Sequence, residues 1–252
     1  MADDRPGSQY PFTFLACTYN LWGEERWEDR HAPLRRFLEV NRPDVLCVQE
    51  LTLTARELIT NTLPWLKCVD DPFPGWTEEG NIYWNGDVFE LVEYGAEDIG
   101  ILEEARRLFW VRLMFPTGDT LVVATAHFTW LWDAGPSGEW VTVRVAQAET
   151  AVRALDGVVQ LGEPVLFMGD FNGYLYPIDV LREGGFEDSF HALGRAPQIT
   201  HPAFPTSESP TLLDWMMHRG PIRPTLTSVV DFYVDGVPPS DHKPILTTYV
   251  LT

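Results

Sequence analysis

Six segments of this 252-residue chain end an apolar run in residues that can hold a cation, move a proton or bind phosphate. Phe14-Leu-Ala-Cys-Thr-Tyr-Asn20 ends in Asn20, and Asp44-Val-Leu-Cys-Val-Gln-Glu50 ends in Gln49-Glu50. Leu121-Val-Val-Ala-Thr-Ala-His127 ends in His127, and Val165-Leu-Phe-Met-Gly-Asp-Phe-Asn172 ends in Asp170 and Asn172. Leu212-Leu-Asp-Trp carries Asp214 inside a strand-like run, where Asp is disfavoured. Ser240-Asp241-His242 precedes Lys243-Pro244 and a last apolar run. If these ends converge, hard oxygen donors with one or two carboxylates suit magnesium or manganese. Such ions keep waters and complete their shell with substrate phosphate. A free Asp takes a proton from water, while His and Asn hydrogen-bond the non-bridging phosphate oxygens as charge grows on them. An Asp beside a His fixes its tautomer and favours the imidazolium. Together this is metal-assisted attack of water on a phosphate ester.

Taken singly, each segment also has a plain structural reading. Gln49-Glu50 could cap the next helix. Asp170-Phe-Asn172-Gly173 could be an ordinary turn, and Ser240-Asp-His-Lys-Pro a capped one. A lone His127 could be a satisfied core histidine. Asp214 is the hardest to dismiss, because an unpaired buried carboxylate is costly. His31, His191, His201 and His218 fit no chemical pattern and are assigned to structure.

The elements that must position these residues alternate between strands and helices, the signature of a layered α/β domain. Strands are expected over Phe12–Tyr19, Asp44–Val48, Asn81–Asn85, Arg107–Phe115, Thr120–His127, Pro164–Gly169, Leu212–Met217, Thr225–Phe232 and Ile245–Leu251. Helices are expected over Arg30–Val40, with Leu34, Phe37 and Leu38 on one stripe, over Thr52–Thr62 and over Thr142–Val159. In α/β sheets ligands bind outside the carboxyl ends of strands, which is where the polar residues fall. Two stretches break the alternation. Asp87–Glu104 carries seven acids and no base, and is expected to be a solvated strand edge or loop. Phe128–Trp140 holds Trp130, Trp132 and Trp140 among Gly, Pro and Ser, either covering core or forming a stacking wall for a ligand.

Composition narrows the partners. There are 37 acids against 18 bases, a net charge of −19, and only Lys67 and Lys243 are lysines. Such a surface repels polyanions at long range and argues against tight non-specific binding to duplex nucleic acid. Solubility accounts for most of that charge; cation sites also concentrate carboxylates. Cys17, Cys47 and Cys68 are too few and scattered for a disulfide framework or a zinc site. The acidic N-terminus is no signal peptide, so a cytoplasmic location is expected, and no apolar run approaches the ~18 residues of a membrane span. One domain over residues 1–252 is expected, with residues 1–10 a flexible N-terminus and a monomer as the default.

Taken in order, the fragments Thr18-Tyr-Asn20, Val48-Gln-Glu50, Thr125-Ala-His127, Gly169-Asp-Phe-Asn172, Leu213-Asp-Trp215 and Ser240-Asp-His242 resemble the endonuclease/exonuclease/phosphatase family, the DNase-I-like phosphoesterases. Any one motif is weak; six in order, over residues 12–251, are specific. Arg144-Val-Ala-Gln147 and the stretch from Asp170 to Asp188 also resemble bacterial members. The resemblance implies a four-layer sandwich, two packed mixed β-sheets flanked by helices. It implies a magnesium- or manganese-dependent phosphodiesterase or phosphatase. Glu50 would be the main cation ligand, with Asn20 beside it and Asp241 completing the shell. Asp170 would orient and deprotonate water. Asn172, His127 and His242 would bind the scissile phosphate, and Asp214 would hold His242. One position departs: DNA-repair members often carry Asp two residues after the first Asn, where this chain has Trp22. That argues against a repair nuclease and places an aromatic near the mouth. Trp22, Trp130, Trp132 and Trp140 are therefore candidate substrate contacts. The substrate would be an end or single strand of nucleic acid, or a small phosphoester. The alternative is a catalytically silent binding or scaffold protein on the same fold.

Overall fold

A computed structural model describes residues 12–130, 139–206 and 209–252, with backbone only for 139–141. The expected N-terminal tail over residues 1–10, Trp132 and the side chain of Trp140 lie outside the described residues. The strands are β1 (Thr13–Asn20), β2 (Val45–Gln49), β3 (Leu66–Cys68), β4 (Gly80–Asn85), β5 (Glu90–Glu97), β6 (Leu108–Met114), β7 (Thr120–His127), β8 (Val165–Asp170), β9 (Glu187–Asp188), β10 (Asp214–Arg219), β11 (Ile222–Val229) and β12 (Ile245–Leu251). The helices are α1 (Trp27–Asn41), α2 (Leu53–Thr62), α3 (Gly75–Glu78), α4 (Glu139–Val158), α5 (Tyr176–Glu183) and α6 (Ser189–Ala192).

Among the described residues the strands form two six-stranded sheets, in the orders β11-β12-β1-β2-β4-β3 and β5-β6-β7-β8-β10-β9. The β1–β2 and β7–β8 pairs are parallel and the rest antiparallel, so both sheets are mixed. Side chains alternate across a strand with period two, so a strand buried on both faces reads as a continuous apolar run. That is why the central strands are so apolar. Cys17, Tyr19, Leu46 and Val48 pack outward against Leu34, Phe37 and Leu38 of α1 and Ala55 and Ile59 of α2. Val122, Ala124 and Phe167 pack outward against Ala148, Ala151 and Leu155 of α4 and Ile178 and Leu181 of α5. Between the sheets lie Phe14, Ala16, Val45, Cys47, Val123, Leu166, Met168 and Met216. The order is helix, sheet, sheet, helix: the four-layer sandwich that the sequence implies.

Several boundaries moved for physical reasons. The acidic stretch contains β5, a sheet-edge strand with mostly solvent-facing side chains; charged residues on an edge oppose pairing with another chain. β11 begins three residues early and carries Pro224, which has no N–H to donate. The ladder with β12 is irregular between Pro224 and Leu226, and β11 sits at a sheet edge, where proline is tolerated. β10 starts at Asp214, two residues later than expected, although the Leu213 carbonyl still accepts from the Phe171 N–H at 2.9 Å, in register with the Asp214–Asp170 pair. Helix α5 was not foreseen. Its buried side is only Pro177, Ile178 and Leu181, too short a stripe to register as periodicity. Cys17 and Cys47 are buried, and burial pushes both thiols up, so they are inert. Among the described residues no helix is long and apolar enough to cross a membrane.

Candidate active site

Two more steps of period-two alternation along the inner faces leave the apolar core. Inward from Phe14 and Ala16 come Thr18 and Asn20; after Val45 and Cys47 comes Gln49. After Val123 come Thr125 and His127; after Leu166 and Met168 comes Asp170, and β10 begins at Asp214 before Met216. All of these polar residues are buried. Register brings them to one rim: Asn20 lies opposite Gln49, His127 opposite Asp170, and Asp170 opposite Asp214. Just below, the Gln49 amide donates to Thr125 Oγ1 at 2.8 Å and to Thr18 Oγ1 at 3.3 Å, joining the sheets with a polar tie. Gly169 permits the closest approach, since a Cβ there would stand 2.1 Å from the Ala126 carbonyl oxygen.

The chain turns sharply as it leaves these strands. Trp22, Glu50 and Asn172 have φ of 61°, 51° and 47°, left-handed conformations that cost a non-glycine residue about 1–3 kcal/mol each, Asn least. Side chains hold them there. Asn20 Oδ1 accepts from the Trp22 N–H at 2.9 Å, and Asn20 Nδ2 donates to Glu50 Oε1 and Asp170 Oδ2, both at 3.0 Å. The Asn172 N–H donates to Asp170 Oδ1 at 3.0 Å, while its side-chain amide donates to the Phe128 carbonyl at 2.8 Å. The last motif is pinned from the opposite side. Ser240 Oγ donates to the Asn20 carbonyl at 2.7 Å, and His242 Nδ1 meets Asp214 Oδ2 at 2.8 Å. Asp170 Oδ2 is the hub, 3.4 Å from His127 Nε2 and 3.7 Å from His242 Nε2. Glu50 Oε1 stands 3.9 Å from His127 Nδ1.

The two histidines sit in opposite electrostatic settings. Burial works against charge on His242, but Asp214, Asp170 and Asp241 outweigh it and hold the imidazole well above its ordinary range. His127 is held well below its ordinary range by burial, then by the Arg106 and His242 charges. Asp170 is pushed up to about 6 by burial and the Asp214 carboxylate, against the pull of His242, the Asn20 amide and the Asn172 N–H. Three perturbed groups around one carboxylate oxygen make this rim the candidate functional site.

The donor set fits a hard divalent cation. Glu50 and Asp170 present carboxylate oxygens to one amide group, and the Asp241 carboxylate lies beside His201 and His242. Among the described residues, two buried polar atoms of the site, His127 Nδ1 and Asp214 Oδ1, have no hydrogen-bond partner, the state expected where a polar ligand completes the shell. Ligand atoms of Asp170, Asp214 and His242, and separately of His201, Asp241 and His242, lie within 4.8 Å of one another. Since His242 Nδ1 is engaged by Asp214, the oxygens are the freer donors. Asn20 enters the cluster through its amide nitrogen, its oxygen being turned to Trp22, so its observed part is to hold the carboxylates together.

Sequence reasoning missed three contributors. Thr200 Oγ1 accepts from the Leu213 and Asp214 N–H groups at 3.1 and 3.2 Å, while its carbonyl accepts from the Lys243 N–H at 2.7 Å, locking the Asp214 and His242 segments together. His201, assigned to structure from sequence, places Nε2 3.6 Å from Asp241 Oδ2 and its ring 4.8 Å from that of His242. Nothing periodic surrounds either residue. Arg30 is buried and donates to the carbonyls of Leu21, Trp22, Gly23, Glu25 and Pro239, tying the loop after Asn20 to the segment before Ser240. Its signal was available: Arg30 precedes Leu34 by four residues and so continues the buried stripe of α1. Of the aromatic candidates, Trp22 is half-buried against Phe204 (5.6 Å) and the Arg30 guanidinium (5.5 Å), and Trp130 lies exposed at a cavity beside Asn172.

The fold is shared with known structures. Zebrafish TDP2 humanized by 14 mutations superposes with a TM-score of 0.78 at 18% identity, covering 94% of this chain and 98% of that one. A mannosyl-6-phosphatase of Bacteroides thetaiotaomicron gives 0.78 at 17% identity, covering 94% and 100%. The human Nocturnin catalytic domain with bound sulfate gives 0.76 at 17% identity, covering 96% and 94%. Comparison with curated protein sequences gives no match. The family's sequence model, however, aligns over residues 17–242, beginning within β1 and ending on the histidine that Asp214 holds. A match spanning nearly every strand and all six rim fragments leaves one assignment: the chain belongs to the endonuclease/exonuclease/phosphatase family.

Proposed function

We propose that the protein is a divalent-cation-dependent phosphoesterase that directs water onto the phosphorus of a phosphodiester or phosphomonoester. The observation that carries this reading is the shared oxygen of Asp170, approached by Asn20, His127 and His242 with Asp214 behind His242. Glu50 would hold magnesium or manganese, with Asp241 completing the shell and Asn20 fixing the carboxylates. The cation would supply positive charge to the phosphate oxygens. Asp170 orients the attacking water and takes its proton, being the carboxylate with donors arrayed around one oxygen. His242 presents a charged N–H to a non-bridging oxygen, because Asp214 holds it protonated, and Asn172 and neutral His127 line the same side. Trp22 would line the mouth.

For the substrate, two classes have support. Another zebrafish TDP2 structure of this fold is described as complexed with single strand DNA product, and one bacterial neighbour as a mannosyl-6-phosphatase. The charge of −19 disfavours a long duplex, so an end, a single strand or a small phosphoester fits best. The test is hydrolysis of bis-p-nitrophenyl phosphate with magnesium or manganese. Activity should vanish with EDTA and return with excess metal; turnover that ignores chelation overturns the reading.

A further inference from the structure

Beside the rim, a cavity of about 280 Å³ opens directly against Asn172. Its wall is unusually aromatic: Trp130, Tyr174 and Tyr176, with Leu213 and the side chain of Arg144. The rings are left in water, with 49%, 57% and 59% of Trp130, Tyr174 and Tyr176 exposed. Among the described residues, neither tyrosine ring packs on another aromatic. Large apolar groups gathered in solvent next to a polar site mark a binding surface rather than core. The loop that leads into the two tyrosines is anchored at its start. Asn172 donates to the Phe128 carbonyl at 2.8 Å, and Trp215 Nε1 donates to the Gly173 carbonyl at 2.8 Å. Arg144 brings a cation to this wall, its Nη1 donating to the Thr129 carbonyl at 3.1 Å.

We infer that this cavity is a subsite for a single nucleoside, its base lying on the Tyr174, Tyr176 and Trp130 rings while its phosphate lies between Arg144 and Asn172. A planar ring stacks on aromatic side chains whatever its sequence identity. The size selects the occupant. A cavity of about 150 Å³ is filled by benzene alone, so this one has room for a base together with its sugar. The net charge of −19 opposes a long polyanion beyond that first unit. The inference rests on the phosphoesterase reading in one respect only, that Asn172 lies on the phosphate side of the site.

Isothermal titration of the intact protein tests it without turnover. The ligands are thymidine 5′- and 3′-monophosphate, deoxyribose 5-phosphate and phenyl phosphate, applied to the wild type and to Tyr174→Ala/Tyr176→Ala. Both tyrosines are exposed, so the double variant keeps the fold, checked by its melting temperature. The better nucleotide should bind at least about tenfold tighter than deoxyribose 5-phosphate, as expected for one stacked base, with phenyl phosphate between them. The variant should lose that advantage while binding deoxyribose 5-phosphate as before. Equal affinities, no nucleotide binding at millimolar concentration, phenyl phosphate matching the nucleotide, or a preference that survives in the variant would each overturn the subsite. A protein that prefers the nucleotide yet hydrolyses nothing with metal refutes the phosphoesterase reading and keeps the subsite. One that hydrolyses but binds all ligands alike does the reverse.

Discussion

The layer between the two sheets has two ends built by the same strands. At one end the inner faces carry Phe14, Val45, Val123, Leu166 and Met216; at the other they carry Asn20, Gln49, His127, Asp170 and Asp214. A histidine at each end shows what separates them. His218, on the inner face of β10, lies against Tyr249 (5.7 Å), and its Nδ1 has no hydrogen-bond partner among the described residues. Burial lowers its pKa despite the opposing pull of Glu187 and Asp188. His242 is as deeply buried, but three aspartates raise it. Burial alone therefore does not set protonation in this layer; the company of carboxylates does. The apolar end stabilises the fold by removing surface from water. The polar end spends stability to hold charges close together, in left-handed turns, around a hole that a cation and a phosphate would fill.

The sharpest break in that comparison is Asp170→Asn. Turnover of bis-p-nitrophenyl phosphate should fall by about 10²–10⁴-fold, the range for loss of a general base. The melting temperature should hold or rise, because a strained carboxylate cluster is relieved. Two residues down the same face, Met168→Ala should do the opposite. It should cost about 2–5 kcal/mol in urea unfolding, with turnover per folded molecule little changed. Gln49→Leu probes the boundary. Losing the amide that binds Thr125 and Thr18 should cost about 1–3 kcal/mol by leaving their hydroxyls unpaired, again read from urea unfolding. The smallest effect belongs to His218. Its folded pKa lies below 6.5, so the unfolded chain binds the proton first. Stability should fall as pH drops through about 6.5 and level off once the folded imidazole protonates. His218→Phe should flatten that slope; an unchanged slope would assign it to other groups.

Much of this contrast was legible in the sequence because period two is a simple code. A run such as Leu121 to His127 announces a strand buried on both faces, and its polar last residue announces where the core ends. The family fragments then imply which ends meet. What was not legible depended on long-range geometry. Thr200 and His201 sit in an irregular segment without periodicity, and only the fold brings them beside Asp214 and Asp241. Helix α5 is too short to show a stripe. Arg30 was readable from its helical spacing, but a charged residue on a buried face is easily passed over until its carbonyl partners are seen. The expected cation-binding role of Asn20 meets an amide whose nitrogen, not oxygen, faces the cluster, a distinction no sequence carries.

The account is tested most directly by titrating manganese into the wild type and into Glu50→Gln by calorimetry. The wild type should take up the ion, and Glu50→Gln should bind it at least about tenfold more weakly while melting at the same temperature without metal. Equal uptake by both proteins would contradict the claim that the polar end of the inter-sheet layer is built to hold a cation.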